Sequence, residues 1–87
     1  MDVTGSSHET YEKLVEQEDR LLQRLKVCEL AQSAVIDLFY KSEETLNREA
    51  VEEILKAILT IGLRLQSKLL AFRLEKKTVA HQLKKHR

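Results

Sequence analysis

The chain has 87 residues, enough for one domain at most, in the size range where a single hydrophobic core is marginal. Charged residues make up 33%, proline is absent, and good helix formers dominate, whereas the four aromatic residues are too few for a β-sandwich or barrel. The single cysteine, Cys28, excludes an internal disulfide and favours a reducing intracellular compartment, cytoplasmic or nuclear. The composition therefore predicts a small all-α protein.

The first half of the chain predicts a polar arm followed by a long helix. Residues 1–8 are small and polar, which predicts a disordered N-terminal arm. From about 9 to 41 no residue breaks a helix, and apolar residues spaced by three, four and seven predict an amphipathic helix 1. Glu18 and Gln32 interrupt this apolar stripe, so the sequence does not predict a strict coiled-coil seam.

The segment from Lys41 to Asn47 is the one predicted break. If Asn47 caps the next helix, Leu46 and Val51 occupy the two positions of a hydrophobic staple. Ser42 is the alternative cap, because it too has a short side-chain oxygen that can accept from free helix amides. Helix 2 is predicted over about 47–85, with Gly62 as its only weak point.

Helix 2 has apolar residues on more than one side. Val51, Ile58, Leu65, Phe72 and Val79 recur every seven residues and form one stripe. A second stripe lies on another side of the helix and consists of Leu59, Leu63, Leu70 and Leu74. Because apolar side chains on two sides must be buried on two sides, one partner helix is not enough to cover helix 2.

The charge distribution favours folding the two helices back on each other. Residues 1–53 hold thirteen acids and six bases, whereas residues 54–87 hold nine bases and one acid. An antiparallel arrangement places the acidic start of helix 1 beside the basic end of helix 2, and the short connection also requires it. Residues 9–87 are therefore predicted to form one helical hairpin that assembles into a four-helix bundle or coiled-coil-like oligomer.

This architecture predicts a protein–protein interaction or scaffold subunit that homodimerises or pairs with another helical subunit of a multi-protein assembly. The exposed apolar surface of a lone hairpin would be large enough to indicate an interface. Helix 2 is expected to supply it, through Leu55, Ile58, Leu59, Leu63, Leu65, Leu69, Leu70 and Phe72.

The sequence offers no basis for catalysis or for a cofactor or metal. In the hairpin His8, His81 and His86 would gather near the open end and could bind a metal weakly, but His81 and His86 are five residues apart and do not share a helical face, which favours solvated histidines. Cys28 continues the apolar stripe of helix 1, which favours a packed side chain over a reactive thiol. No phosphate-binding loop or zinc-binding spacing is present, so we expect the protein not to be an enzyme.

Membranes and nucleic acids are the remaining partners to weigh. The apolar run 54–74 is long enough to span a bilayer, but the cost of inserting its four cations exceeds the gain from its apolar residues, so no transmembrane segment is expected. The alternative function is a nucleic-acid-associated helical module, because bases at the C-terminal helix end could neutralise phosphates without reading sequence. The residues concerned are Lys76, Lys77, Lys84, Lys85 and Arg87.

Overall fold

Two long helices make up the protein. The computed structural model describes residues 3–43 and 45–85, with side chains from residue 8 onward, and contains α1 (Val3–Lys41) and α2 (Arg48–Lys85). The helices pack antiparallel into a rod 64 Å long and only 17 and 15 Å wide. The predicted helical hairpin is confirmed, whereas the four-helix assembly stays a prediction because a single chain contains only the hairpin.

The boundaries of the helices are close to those expected, except at the start. α1 begins at Val3, so residues 3–8 are helical where a disordered arm was predicted, while Met1 and Asp2 of that arm lie outside the described residues. No proline interrupts this segment, and Gly5 alone costs a helix only about 1 kcal/mol relative to alanine. A long helix can therefore propagate through these polar residues.

The core of the hairpin is a single seam between α1 and α2. Buried or half-buried positions of each helix are separated alternately by three and four residues, which is the spacing of an antiparallel coiled coil. Leu65, the most buried side chain at 1% exposure, packs with Leu21 and Leu69, and Leu25, Cys28 and Phe72 cover this cluster. Glu18 and Gln32 are half-buried positions within the seam of α1, so they continue the seam where the sequence predicted an interruption.

The connection between the helices is stabilised by local hydrogen bonds at both ends. The backbone N–H of Ser42 donates to the carbonyl of Leu38 at 3.0 Å, and Glu43 then adopts a left-handed φ of 54°. At the start of α2, Oδ1 of Asn47 accepts from the N–H of Ala50 at 2.9 Å. The predicted Asn47 cap is confirmed, whereas the alternative, Ser42, lies in the turn that follows α1, where its hydroxyl donates to the carbonyl of Phe39.

The conformation of Glu43 predicts a stabilising substitution. A residue with a side chain in the left-handed region costs roughly 1–2 kcal/mol, and glycine removes this strain. Glycine also increases the conformational entropy of the unfolded chain, which offsets part of the gain. We expect Glu43→Gly to raise the free energy of unfolding by up to about 1 kcal/mol in urea titrations. Lys41→Gly, two residues earlier and still helical, should lower it by about 0.5–1 kcal/mol. A Glu43→Gly protein that is less stable than its parent would contradict this account of the turn.

Candidate interaction surfaces

A cluster of one acid and two bases lies in the seam near the open end of the hairpin. Nζ of Lys76 is 2.7 Å from Oε2 of Glu18, and Nε of Arg73 is 3.4 Å from Oε1 of the same carboxylate. The Glu18 side chain is 14% exposed and that of Lys76 27%, so both are shielded from water more than surface ion pairs usually are. These contacts join α1 to α2 directly and explain why a charged residue is tolerated inside the seam.

The cluster shifts the pKa of both main partners. The hydrogen bond from Lys76 lowers the pKa of Glu18, although partial burial opposes the shift. The same hydrogen bond raises the pKa of Lys76. Both groups are therefore held in their charged forms across the neutral range, and the ion pair holds one register of the two helices.

Exposed apolar residues form a continuous surface on one side of the seam. Leu59 and Leu63 line a groove together with Glu29, while Ile36 lines the next groove towards the loop. Leu22 is about four turns before Ile36 along α1, and Leu70 is about two turns after Leu63 along α2, so both lie on the same side of their helix. All five are exposed, and we call this surface the leucine face: Leu22, Ile36, Leu59, Leu63 and Leu70.

A second groove runs along the opposite side of the seam. One part of about 350 Å³ is almost wholly apolar and is lined by Val27, Ala31 and Ile61, with Arg24 at its end. The groove continues towards the open end of the hairpin, where Arg20, Arg24 and Lys68 line it. Leu59 and Ile61 flank the seam residues Ile58 and Gly62 on opposite sides, so this groove and the leucine face point in different directions.

The structure divides the eight predicted interface residues into two groups. Leu59, Leu63 and Leu70 are exposed on the leucine face and are free to meet another chain. The other five belong to the seam, because they are buried or half-buried against α1: Leu55, Ile58, Leu65, Leu69 and Phe72. Residues seven apart occur in both the exposed group and the seam group. The sequence pattern alone therefore does not distinguish a seam within the hairpin from a seam between chains.

Of the bases proposed for nucleic-acid contact, the structure shows one to be engaged within the hairpin. Lys76 is turned into the seam and bound to Glu18, whereas Lys77, Lys84 and Lys85 are exposed. Arg87 lies outside the described residues. A more coherent group of cations was missed by sequence reasoning, because Arg20 and Arg24 of α1 meet Lys68 of α2 only after the chain folds back.

Side chains that could support catalysis or bind a metal are few and scattered in the described part of the chain. Cys28 is a free, half-buried cysteine in the seam. His8 and His81 are exposed and His86 lies outside the described residues, and no group of three metal-ligating side chains occurs within residues 8–43 and 45–85. Neither of the two helices, over its described length, is apolar enough to cross a membrane.

Comparisons with known proteins add no constraint. No protein-family model matches the chain, and neither a curated protein nor a solved structure matches it. Its surfaces are therefore the guide to what it does.

The ion pair in the seam predicts a pH-dependent loss of stability. Because the pKa of Glu18 is lowered by folding, its contribution is present above the unfolded value of about 4.3 and is lost as pH falls through the folded pKa. The pKa of Lys76 is raised by folding, so its contribution to stability is present below its unfolded value of about 10.4 and is lost as pH rises through the folded pKa. We expect Glu18→Gln to be less stable than the parent at pH 7, with the difference disappearing near pH 2 in thermal unfolding.

Glu16→Gln provides the matched control for this experiment. Glu16 is exposed on the same helix and makes no ion pair with any described residue, so its replacement should change stability little at either pH. If Glu18→Gln and Glu16→Gln have equal effects at pH 7, the pair does not stabilise the fold.

Gly62 predicts a stabilising change inside α2. It is half-buried beside the seam, yet a Cβ added there meets no atom within 4 Å. Gly62→Ala should therefore raise the free energy of unfolding by about 1 kcal/mol, the difference in helix propensity between the two residues. Ala57→Gly, at an exposed position of the same helix, should lower it by a similar amount. A destabilised Gly62→Ala protein in urea titrations would show that something other than the isolated hairpin occupies this space.

Proposed function

We propose that the protein is a non-enzymatic interaction subunit whose hairpin associates with further helices. The main observation in support is the imbalance between buried and exposed apolar residues. Among the described side chains, five hydrophobic residues are buried, whereas thirteen large hydrophobic residues are exposed. Where such residues lie next to one another, as on the leucine face, the exposed apolar patch is typical of an interface.

The leucine face is the part of this surface best suited to a second copy of the same chain. A two-fold symmetric interface presents the same patch twice, so it must tolerate its own charges. The residues that flank the leucine face carry both signs: Glu12, Asp19, Glu29, Glu49 and Glu52 against Lys26, Lys56, Arg73, Lys77 and Lys84. Two such faces can meet without a net excess of like charge. Burying the exposed leucines of both copies would supply the hydrophobic gain.

Self-association through the leucine face is tested by replacing its two most exposed leucines. Leu63 is 56% and Leu70 65% exposed, so glutamates at these positions are solvated in the lone hairpin but buried without partners in the assembly. We expect the parent to be a dimer or larger at micromolar concentration, and Leu63→Glu/Leu70→Glu to be monomeric with unchanged helicity. Light scattering gives the mass, and far-ultraviolet circular dichroism gives the helicity.

Leu30→Glu/Leu38→Glu is the matched control. These leucines are exposed to the same degree, at 58% and 59%, but they lie away from the leucine face on α1. The control should keep the mass of the parent. A parent that is monomeric at all concentrations, or a control that dissociates equally, would contradict self-association through this face.

A further inference from the structure

The groove opposite the leucine face combines an apolar floor with unpaired cations. We call it the basic groove and define it by Arg20, Arg24, Val27, Ala31, Ile61, Arg64 and Lys68. Arg20, Arg24, Val27 and Ala31 succeed one another at spacings of four, three and four along α1, and Ile61, Arg64 and Lys68 at spacings of three and four along α2. Each helix therefore contributes both apolar and cationic residues to one surface.

The four cations have no acidic partner in the part of the chain that the structure describes. The ion pairs present there involve Lys26, Arg48, Arg73 and Lys76, and none includes a cation of the basic groove. The nearest acids by helical spacing are Glu16, one turn before Arg20, and Glu75, two turns after Lys68, and neither makes an ion pair with a cation of the groove. The four unpaired cations therefore give one end of the groove an excess of positive charge.

The apolar part of the groove is equally uncovered. Val27 is 65% exposed and Ile61 41%, although both adjoin buried seam residues. The residues of α1 that line the groove run from Gln17 to Ala31, or about 21 Å at about 1.5 Å per residue. That length matches a helix of about 14 residues lying between α1 and α2.

We infer that the basic groove binds an acidic amphipathic helix of another protein, which completes a three-helix bundle. Apolar residues of that helix at three- and four-residue spacing would contact Val27, Ala31 and Ile61, and its Asp and Glu side chains would pair with the four cations. This inference rests on the proposed function and names the chemistry of one partner. It concerns a different surface from the one assigned to self-association.

Charge and shape favour this occupant over the others. A second copy of this chain carries acids and bases together around its leucine face, so docking that face here would bring further cations against the four of the groove. A nucleic acid would pair with the cations but leave the apolar floor in water, and the aromatic residue that lines the groove, Phe72, is half-buried in the seam rather than free to stack on bases. A concave groove between two helices also fits a third helix better than a flat membrane surface does.

The test uses two synthetic helical peptides of 21 residues with leucine at heptad positions a and d. One carries glutamate at the flanking positions and the other lysine, and both are fluorescently labelled. We expect the acidic peptide to bind the full chain at least about tenfold more tightly in anisotropy titrations, because four exposed ion pairs together exceed a tenfold effect. Equal affinity for the two peptides would overturn the inference.

Variants of the chain locate the binding surface. Replacing Arg20, Arg24, Arg64 and Lys68 by glutamine should weaken binding of the acidic peptide by at least about tenfold and bring it close to that of the basic peptide. The matched control replaces four exposed lysines on the opposite side, which removes the same charge from another surface: Lys26, Lys56, Lys77 and Lys84. All eight positions are exposed, so neither variant disturbs the seam. Equal losses in the two variants would refute the basic groove as the site.

Two further probes decide the class of partner. A 20-base-pair DNA duplex and vesicles containing phosphatidylserine should each bind more weakly than the acidic peptide at physiological salt. If either binds more tightly, and the four groove substitutions abolish that binding, the occupant is a nucleic acid or a membrane and the inference fails. Failure of self-association is a separate result, because it is read from the mass of the Leu63→Glu/Leu70→Glu protein and not from peptide binding.

Discussion

Two helices share one line of contact, and this constraint controls everything else in the molecule. Each helix buries only the residues that face its partner. A stripe of apolar residues at alternating spacings of three and four is therefore enough to form the seam. The chain nevertheless carries apolar residues far beyond that stripe, as the exposed leucines on both sides of the seam show. A hairpin with this composition has more apolar surface than its own fold can cover, and association is the direct way to cover it.

The seam is not uniformly apolar, and its polar positions have a physical consequence. Leucine pairs in a long antiparallel seam tolerate a shift of one heptad, because each leucine meets another leucine after the shift. The Glu18 carboxylate does not tolerate such a shift, because the shift would separate it from Lys76 and Arg73 and leave its charge partly buried without a partner. The ion pair therefore selects one register, and the register decides which cations of α2 lie beside Arg20 and Arg24.

The two sides of the seam differ in electrostatics rather than in apolar content. The leucine face has acids and bases around it, which suits a second copy of the same surface. The basic groove has four cations that make no ion pair with any described residue, which suits a partner of opposite charge. Because the two surfaces point in different directions, the two proposed contacts do not compete for the same residues.

The sequence by itself determined the all-α class, the hairpin, the end of α1 at Lys41 and the Asn47 cap of α2, because periodicity and capping depend on neighbours within a few residues. It also marked Leu59, Leu63, Leu70 and Leu74 as a second stripe, although it assigned residues of the first stripe to the interface as well. Only the tertiary structure decided that Leu65 and Leu69 belong to the hairpin's own core, that Glu18 lies in the seam, and that Arg20, Arg24 and Lys68 share one groove. Those facts depend on which residues face each other across two antiparallel helices, and residues more than forty positions apart in sequence carry no local signal of that pairing.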